Sequence, residues 1–503
     1  MIRPFFDTII SLYLKGRRTR FEKTQADPAS FQFNLLQRLI QENIGCENSE
    51  KYKFSQISNY SQFVAQVPLK EYNQLASDVY RMMMGERDVL VKGKVTWFSK
   101  SSGTSSGRSK YLPITDTFYR RNLVQSSWDS VSFIYKKQSN ARLFSEKSLL
   151  MGGALEKFEL NEETIVGDIS AIMLARMPRV GRPFYTPDFE TALMADWEEK
   201  IEIIAKKCVK ENVVMFGGVP TWTIVLFNKM LGLTGKLNML EVWPNAHSYM
   251  HGGVGFGPYR KQFEQFFPSK NFNYWEIYNA SEGYFGASST AETNCMNLFY
   301  DNEVFYEFID LADYINGYDN PKTIEQVELS KTYVIVVTTG SGLWRYVIGD
   351  TLEFVSIAPY RFKMVGRVNQ FINAFGEELM VHNAETALEN ASQKSGVSVA
   401  NYTVAPFYLD TGGVGGHEWF IEFKTPPDSL SQFEKLLDEE LRKLNSDYDA
   451  KRFKNLAMTN LKIKSLQSGT FYHWMKKNNK LGGQYKVPRL SNDRIILEQL
   501  STI

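Results

Sequence analysis

A chain of 503 residues is longer than a single hydrophobic core organises, so at least two domains are expected. Hydrophobic residues at 43% and charged residues at 23% are ordinary globular usage, and 17 Pro with 34 Gly exclude a fibrous or low-complexity chain. Lys plus Arg (58) nearly cancels Asp plus Glu (56), which excludes the broad basic field of a nucleic-acid binder or of a protein that coats anionic membrane.

Residues 1–23, MIRPFFDTIISLYLKGRRTRFEK, break an apolar stretch with Asp7 and end in a basic cluster without a small-residue cleavage site. They read as an amphipathic first helix, not a secretory signal. No window approaches the roughly 18 apolar residues of a membrane-spanning helix. Down to about residue 90 the pattern stays helical, with apolar positions at helical spacing in FQFNLLQRLIQENIG and Gly45 as a stop.

The texture then changes. VTWFSK (95–100) is strand-like and runs into the Gly/Ser-rich SSGTSSGRSKYLP. NVVMFGGVP, FNYWEIYNASEGYFG and TYVIVVTTGSGLWRYVIGDTLEFV are further strand-like runs punctuated by glycine, with helical stretches such as ADWEEKIEIIAKKCVKEN between them. That alternation is the signature of an α/β protein with a largely parallel sheet. From GRVNQFINAFGEELM (366–380) onward the order is a helix from about 383, strands in NYTVAPFYLD and HEWFIEFK, and the amphipathic helix SLSQFEKLLDEELRKLN. The expectation is therefore a large N-terminal α/β domain with mixed or parallel sheets, residues 1–366, and a smaller C-terminal α+β domain, residues 367–503. Cys46, Cys208 and Cys295 are odd in number and far apart, which excludes a disulfide framework or a CxxC metal site and points to a reducing compartment, by default the cytoplasm.

Five segments carry chemistry-bearing residues. Ser101-Ser102-Gly103-Thr104-Ser105-Ser106-Gly107-Arg108-Ser109-Lys110 follows a strand and combines small residues, hydroxyls and cations, the ingredients of a loop whose backbone N–H groups surround phosphate. It is not a Walker A loop, because only three residues separate Gly103 from Gly107 and Arg-Ser follows where Lys-Ser or Lys-Thr belongs. A Gly/Ser-rich tract also serves as a plain linker. Tyr278-Asn279-Ala280-Ser281-Glu282-Gly283 sets one carboxylate in a small-residue turn, suited to Mg²⁺ beside a nucleotide or simply to solvent. Leu343-Trp344-Arg345-Tyr346-Val347-Ile348-Gly349-Asp350 is read as a strand ending in an acid after glycine, able to accept hydrogen bonds from ribose hydroxyls or to close a β-turn. Trp243-Pro244 leads through His247 and His251 to Gly252-Gly253-Val254-Gly255-Phe256-Gly257-Pro258, whose glycines do not fall as GxGxxG, so a Rossmann cofactor is not expected. Gly483-Gln484-Tyr485-Lys486-Val487-Pro488-Arg489 closes the set; taken alone, its lysine is an ordinary surface group. His417-Glu418 lacks a second His at metalloprotease spacing, and the five histidines read as structural.

In chain order, SSGTSSGRSKYLP, YNASEGYFG, LWRYVIGD, GRVNQFINAFGEEL and GGQYKVPR resemble the successive signatures of adenylate-forming enzymes. Within that superfamily, YFG after the acidic turn, RYVIGD and the terminal QYKVPR look like the auxin-responsive Gretchen Hagen family of acyl acid amido synthetases, over essentially the whole chain. The resemblance implies ATP-dependent, Mg²⁺-assisted adenylation of a small carboxylic acid in the N-terminal domain, followed by transfer of the acyl group to an amino acid. It implies that Ser101, Ser102, Gly103 and Thr104 form the phosphate loop and that Tyr278, Ser281 and Glu282 form a second nucleotide motif, with Glu282 beside Mg²⁺. Asp350 is then the ribose-binding aspartate, and Lys486 the lysine that reaches the α-phosphate from a mobile C-terminal domain. Gly366-Arg367-Val368-Asn369 resembles the superfamily hinge, with Asn369 where Asp is common. The acyl pocket is expected between 101–110 and the segments near 217–257. The acid, the amine and the oligomeric state are not read, a monomer being compatible with the sequence. The rivals are an acyl-CoA ligase, which shares adenylation but uses a thiol acceptor, and a nucleotide-binding protein that has lost the chemistry.

Overall fold

In the computed structural model the described residues are 2–101, 110–253, 256–291, 295–368, 371–372, 374–375, 377, 379–408, 415–452, 458–481 and 486–503. Ser102, Gly103, Thr104 and the hinge candidate Asn369 lie outside them, as do the Gly/Ser loop through Ser109 and the residues 482–485. By internal contacts the chain divides into two units, Met1–Val254 with Gln265–Lys363, and Gly255–Glu264 with Met364–Ile503.

Local sequence explains the helices of the first unit. The helix Pro28–Glu42 starts where Asp27 accepts from the Ser30 N–H at 3.3 Å and Pro28 supplies a helical φ without needing a partner for an N–H. Its apolar stripe, Leu35, Leu36, Leu39 and Ile40, packs with Phe54, Phe63, Phe305 and Trp344. Trp197–Cys208 has Asp196 at its N-cap, Glu198 and Glu199 in its first turn and Lys206 and Lys207 in its last, matching the helix dipole at both ends.

The central sheet has seven strands in the order Asn297–Leu298, Gly283–Ala287, Asn273–Ala280, Ser248–Gly252, Val213–Gly217, Lys147–Leu150 and Tyr185–Thr186. The last five are mutually parallel, and the first two join antiparallel. The α/β class holds, and the sheets are of the mixed kind. TYVIVVTTGSGLWRYVIGDTLEFV folds antiparallel: Thr332–Thr339 pairs with Val304–Asp310 on one side and Tyr346–Ile357 on the other. Its strands are joined by only a few residues, too few for the crossover that a parallel pair needs.

The second unit is α+β. Strands Ser398–Tyr408, Gly415–Thr425 and Lys462–Leu466 form a three-stranded sheet against which Val381–Ser395 and Leu430–Leu444 bury Leu388, Phe433, Leu437 and Leu441. Inside it a fully buried His417 meets Glu377 at 2.8 Å, and Glu377 also accepts the Ala374 and Phe375 N–H groups at 3.2 and 2.6 Å. Burial works against the Glu377 carboxylate, but His417 and the backbone N–H groups of Glu377 and Phe375 hold its pKa below the usual value. No helix among the described residues is long and apolar enough to cross a membrane.

Candidate functional site

Strand order fixes where a ligand can approach. From Lys147–Leu150 the chain passes to Tyr185–Thr186 on one flank and then to Val213–Gly217 on the other, so the order of parallel strands reverses between Lys147–Leu150 and Val213–Gly217. In open α/β sheets that reversal leaves a crevice beyond the C-terminal ends of the strands, where ligands bind. The turns at this edge are Gly152-Gly153, Gly217-Gly218, Gly252-Gly253 and Ser281-Glu282. A Cβ on Gly218 would approach Met151 Cε at 3.2 Å, so the residue that precedes the first turn lies against the second.

Ser101 and Lys110, the described residues at the two ends of the Gly/Ser segment, lie on a strand pair linked to this edge. Trp97–Ser101 pairs with Lys110–Pro113 antiparallel, Ser101 opposite Lys110, and lies parallel to Asn161–Gly167. Immediately before the loop, the Ser99 hydroxyl donates to the Ser281 carbonyl, which ties the Ser101 strand to the acidic turn. Glu282 in that turn is buried. Behind it, the side chain of Asn122 accepts from the Tyr284 N–H at 2.8 Å and donates to the Tyr284 carbonyl at 3.0 Å, fixing the strand that follows. Residue 283 must be glycine, since a Cβ there would lie 2.9 Å from the Phe118 ring.

Tyr278 and Asp350 also meet here. The buried Tyr278 hydroxyl donates to Asp350 Oδ2 at 2.8 Å across 72 residues of sequence, and its ring leans on Phe285 with centroids 5.0 Å apart. Asp350 is not at a strand end as the sequence pattern implied. It lies within Tyr346–Ile357, where the register jumps between Val347↔Val336 and Thr351↔Val334. Gly349, with φ of 86°, permits that bulge, which re-aims the carboxylate.

The entry to this strand is clamped by Arg345, whose φ is 45°. Its Nε donates to both oxygens of Glu307 at 3.0 and 3.1 Å and its Nη1 to the Val67 carbonyl at 2.8 Å, all fully buried. Tyr60 donates a further hydrogen bond to Glu307 at 3.0 Å. Burial raises the Glu307 pKa, while the Arg345 charge and these donors oppose the rise.

The Gly152-Gly153 turn was not singled out from sequence, although a glycine pair directly after the apolar run SLLM was available as a signal. Lys200, 1% exposed, donates to the Gly152 carbonyl at 2.6 Å from the opposite side, and a Cβ on Gly153 would collide with Asp168 Oδ2. Burial lowers the Lys200 pKa to about 8 and raises that of Asp168 to about 6, and the opposite charges partly offset both shifts.

Lys486 belongs to the second unit, where it is exposed ahead of the buried Val487 and Arg489. His247 bonds the Ala141 carbonyl at 2.8 Å, and burial lowers its pKa. Cys208 is buried, and its thiol is pushed up to about 12, far from nucleophile territory.

Among curated proteins the chain is similar to indole-3-acetic acid-amido synthetase GH3.4 of Arabidopsis thaliana, at 25% identity over 93% of this chain and 90% of the relative. Among solved structures it is similar to GH3.15 acyl acid amido synthetase, with a TM-score of 0.78 at 18% identity over 96% of this chain and 95% of that one. It is also similar to 2-hydroxyisobutyryl-CoA ligase in its postadenylation state, with a TM-score of 0.58 at 14% identity over 93% and 91%. The GH3 family N-terminal domain model matches residues 17–196 and 155–272, the central domain model 297–367 and the C-terminal domain model 382–495. With these models covering most of its length, the chain belongs to the GH3 family.

Proposed function

We propose that this protein is an AMP-forming acid–amino acid ligase, which adenylates a small carboxylic acid with ATP and passes the acyl group to an amino acid. A carboxylate resists aminolysis because oxide is a poor leaving group. Adenylation cures this: a carboxylate oxygen attacks the α-phosphorus of ATP and pyrophosphate departs. The neutral amine then attacks the acyl carbon, AMP leaves, and the amine proton passes to solvent. For such a reaction the protein's tasks are positioning and the stabilisation of phosphate charge.

The observation that carries the reading is the convergence of separate motifs within the first unit: Ser99 bonded to Ser281 beside Glu282, and Tyr278 bonded to Asp350. In the proposed assignment Ser101, Ser102, Gly103, Thr104 and Ser281 receive phosphate oxygens, and Asp350, oriented by Tyr278, accepts the ribose hydroxyls. Lys486 meets the α-phosphate. Glu282 would hold Mg²⁺ from the protein side, and Mg²⁺ when bound offsets phosphate charge. One buried carboxylate beside phosphate oxygens and water is an ordinary donor set for that ion. Among the described residues no group of three or more His, Cys, Asp or Glu offers an all-protein cage.

We assign ATP and acid binding to residues 1–366 and the swing between the two half-reactions to 367–503. The proposed compartment is the cytoplasm, in keeping with three free cysteines. An amino acid acceptor is preferred to coenzyme A because the relative named for amide formation is 25% identical, whereas the similar CoA ligase is 14% identical.

The test is pyrophosphate release from ATP and Mg²⁺ with indole-3-acetic, benzoic and hexanoic acids, each with mixed amino acids or with coenzyme A. Acid-dependent release with an amide product only when amino acids are present is expected. A thioester product would make it a CoA ligase, and no release with any of these acids would favour a nucleotide-binding protein without the chemistry. Asp350→Ala removes the ribose acceptor and strands the Tyr278 hydroxyl, so KM for ATP should rise about 10- to 100-fold while KM for the acid stays within about twofold. Equal effects on both constants would sink the ribose assignment.

A further inference from the structure

The segment that follows Lys486 is held with unusual completeness for an irregular stretch. Thr403 donates to the Pro488 carbonyl at 2.7 Å, the Val404 N–H to the Arg489 carbonyl at 2.9 Å and the Ser491 N–H to the Val404 carbonyl at 3.0 Å. These bonds make a short parallel bridge, Val404 with Leu490, along the strand Ser398–Tyr408. Backbone pairing alone would leave the segment free to roll about its own axis; the side chain of Arg489 removes that freedom. Arg489 is 7% exposed, and its guanidinium lies 4.7 Å from the centre of the Tyr402 ring. One terminal nitrogen donates to the Tyr402 carbonyl at 3.0 Å and to the Asn401 side chain, and the other donates to the hydroxyl of Tyr259.

Tyr259 is 2% exposed and comes from Gly255–Glu264, a piece of mid-chain sequence that belongs to the same compact unit as Arg489. Glu385 of helix Val381–Ser395, which Arg489 influences electrostatically, has its carboxyl pushed up to about 7 by burial, with the Arg489 charge opposing the rise. The Tyr402 carbonyl, the Asn401 side-chain oxygen and the Tyr259 hydroxyl orient Arg489, and a rigid planar fork is the side chain suited to that set.

We propose that Arg489 is a positioning residue for Lys486: by locking Val487–Leu490 onto Ser398–Tyr408 and onto Tyr259, it fixes the point from which the Lys486 ammonium reaches the nucleotide. The proposal rests on Lys486 serving adenylation and goes beyond it by naming what aims the lysine. A charged group displaced by about 1 Å can lose on the order of 100-fold in rate. The aiming matters only in the half-reaction that uses Lys486.

The full-length protein would be assayed in two separate reactions with the most active acid of the panel: ATP–pyrophosphate exchange, and aminolysis of the chemically prepared acyl adenylate. Arg489→Met should lower exchange about 10- to 100-fold and Tyr259→Phe about 3- to 10-fold, with aminolysis within about twofold of wild type in both. In a Lys486→Ala background Arg489→Met should change exchange by less than about twofold, because a residue that acts through another adds little once that other is gone. Equal losses in both half-reactions, or losses that multiply in the double variant, would assign Arg489 to folding alone and overturn the proposal. Should Arg489→Met not fold, Tyr259→Phe, which removes one hydroxyl and no charge, carries the same test. If Lys486→Ala itself leaves exchange intact, the underlying reading falls, and that outcome is distinct because it appears without touching Arg489.

Discussion

Arg345→Met is expected to destabilise the first unit by about 3–5 kcal/mol, because it leaves Glu307 ionisable, fully buried and without its cation. Among the described residues the carboxylate keeps the Tyr60 hydroxyl, and the Val67 carbonyl loses a donor. The sharper expectation concerns the partner variant. Arg345→Met with Glu307→Leu replaces the pair by apolar groups and should recover most of the loss, since buried ion pairs contribute little net stability compared with well-packed hydrophobic substitutes. Urea unfolding followed by tryptophan fluorescence measures both. A single-variant cost below about 1 kcal/mol would mean that water or rearrangement solvates Glu307. The double variant carries a second readout: the Arg345 side chain also ties the start of the strand that bears Asp350 to the Val67 carbonyl at 2.8 Å, and the double variant does not restore that bond. Restored stability with a still-raised KM for ATP would separate the residue's structural task from its effect on that strand.

Lys486→Ala should lower acid-dependent pyrophosphate release by about 10²- to 10³-fold, the usual loss when one preorganised group facing transition-state charge is removed. KM for ATP should move much less than kcat, because charge builds on the phosphates during displacement and not on binding. Lys486→Arg keeps the charge but not the compact, rotatable ammonium, so partial activity is expected. Unchanged release in Lys486→Ala would remove this residue from the chemistry. Since Lys486 is exposed, its loss should leave thermal stability within about 0.5 kcal/mol, so a large rate effect could not be blamed on folding.

The strands and turns that carry Tyr278, Ser281, Glu282 and Asp350 were readable in the sequence because each combines a β-branched or aromatic run with a glycine where the chain must turn. What escaped reading depends on strand order. Nothing in SLLMGG tells that Leu150 and Met151 will lie beside Gly217-Gly218, because that contact arises from a reversal in a sheet whose order is a property of the whole domain. The buried Lys200 was equally invisible: in WEEKIEIIAKKC it is one more lysine in a charged helix, and only the glycine carbonyls it bonds distinguish it from solvated neighbours such as Lys206. The antiparallel hairpin of Thr332–Thr339 and Tyr346–Ile357 was misread as part of a parallel alternation because buried strands of either kind are apolar runs. Connection length was the cue that should have decided it.

The grip of Arg489 on Tyr259 also bears on biosynthesis. The ribosome delivers residue 264 long before residue 489, and the 225 residues between them (489 − 264) take about 10–50 s to add at about 5–20 residues per second. For that interval Tyr259 waits without the Arg489 contact, and the nascent chain carries this aromatic residue uncovered near its midpoint. Chaperone occupancy on the translating ribosome should therefore peak after residue 264 emerges and decline only once the C-terminal strand segment has docked, so that this protein completes its folding late, from its far end.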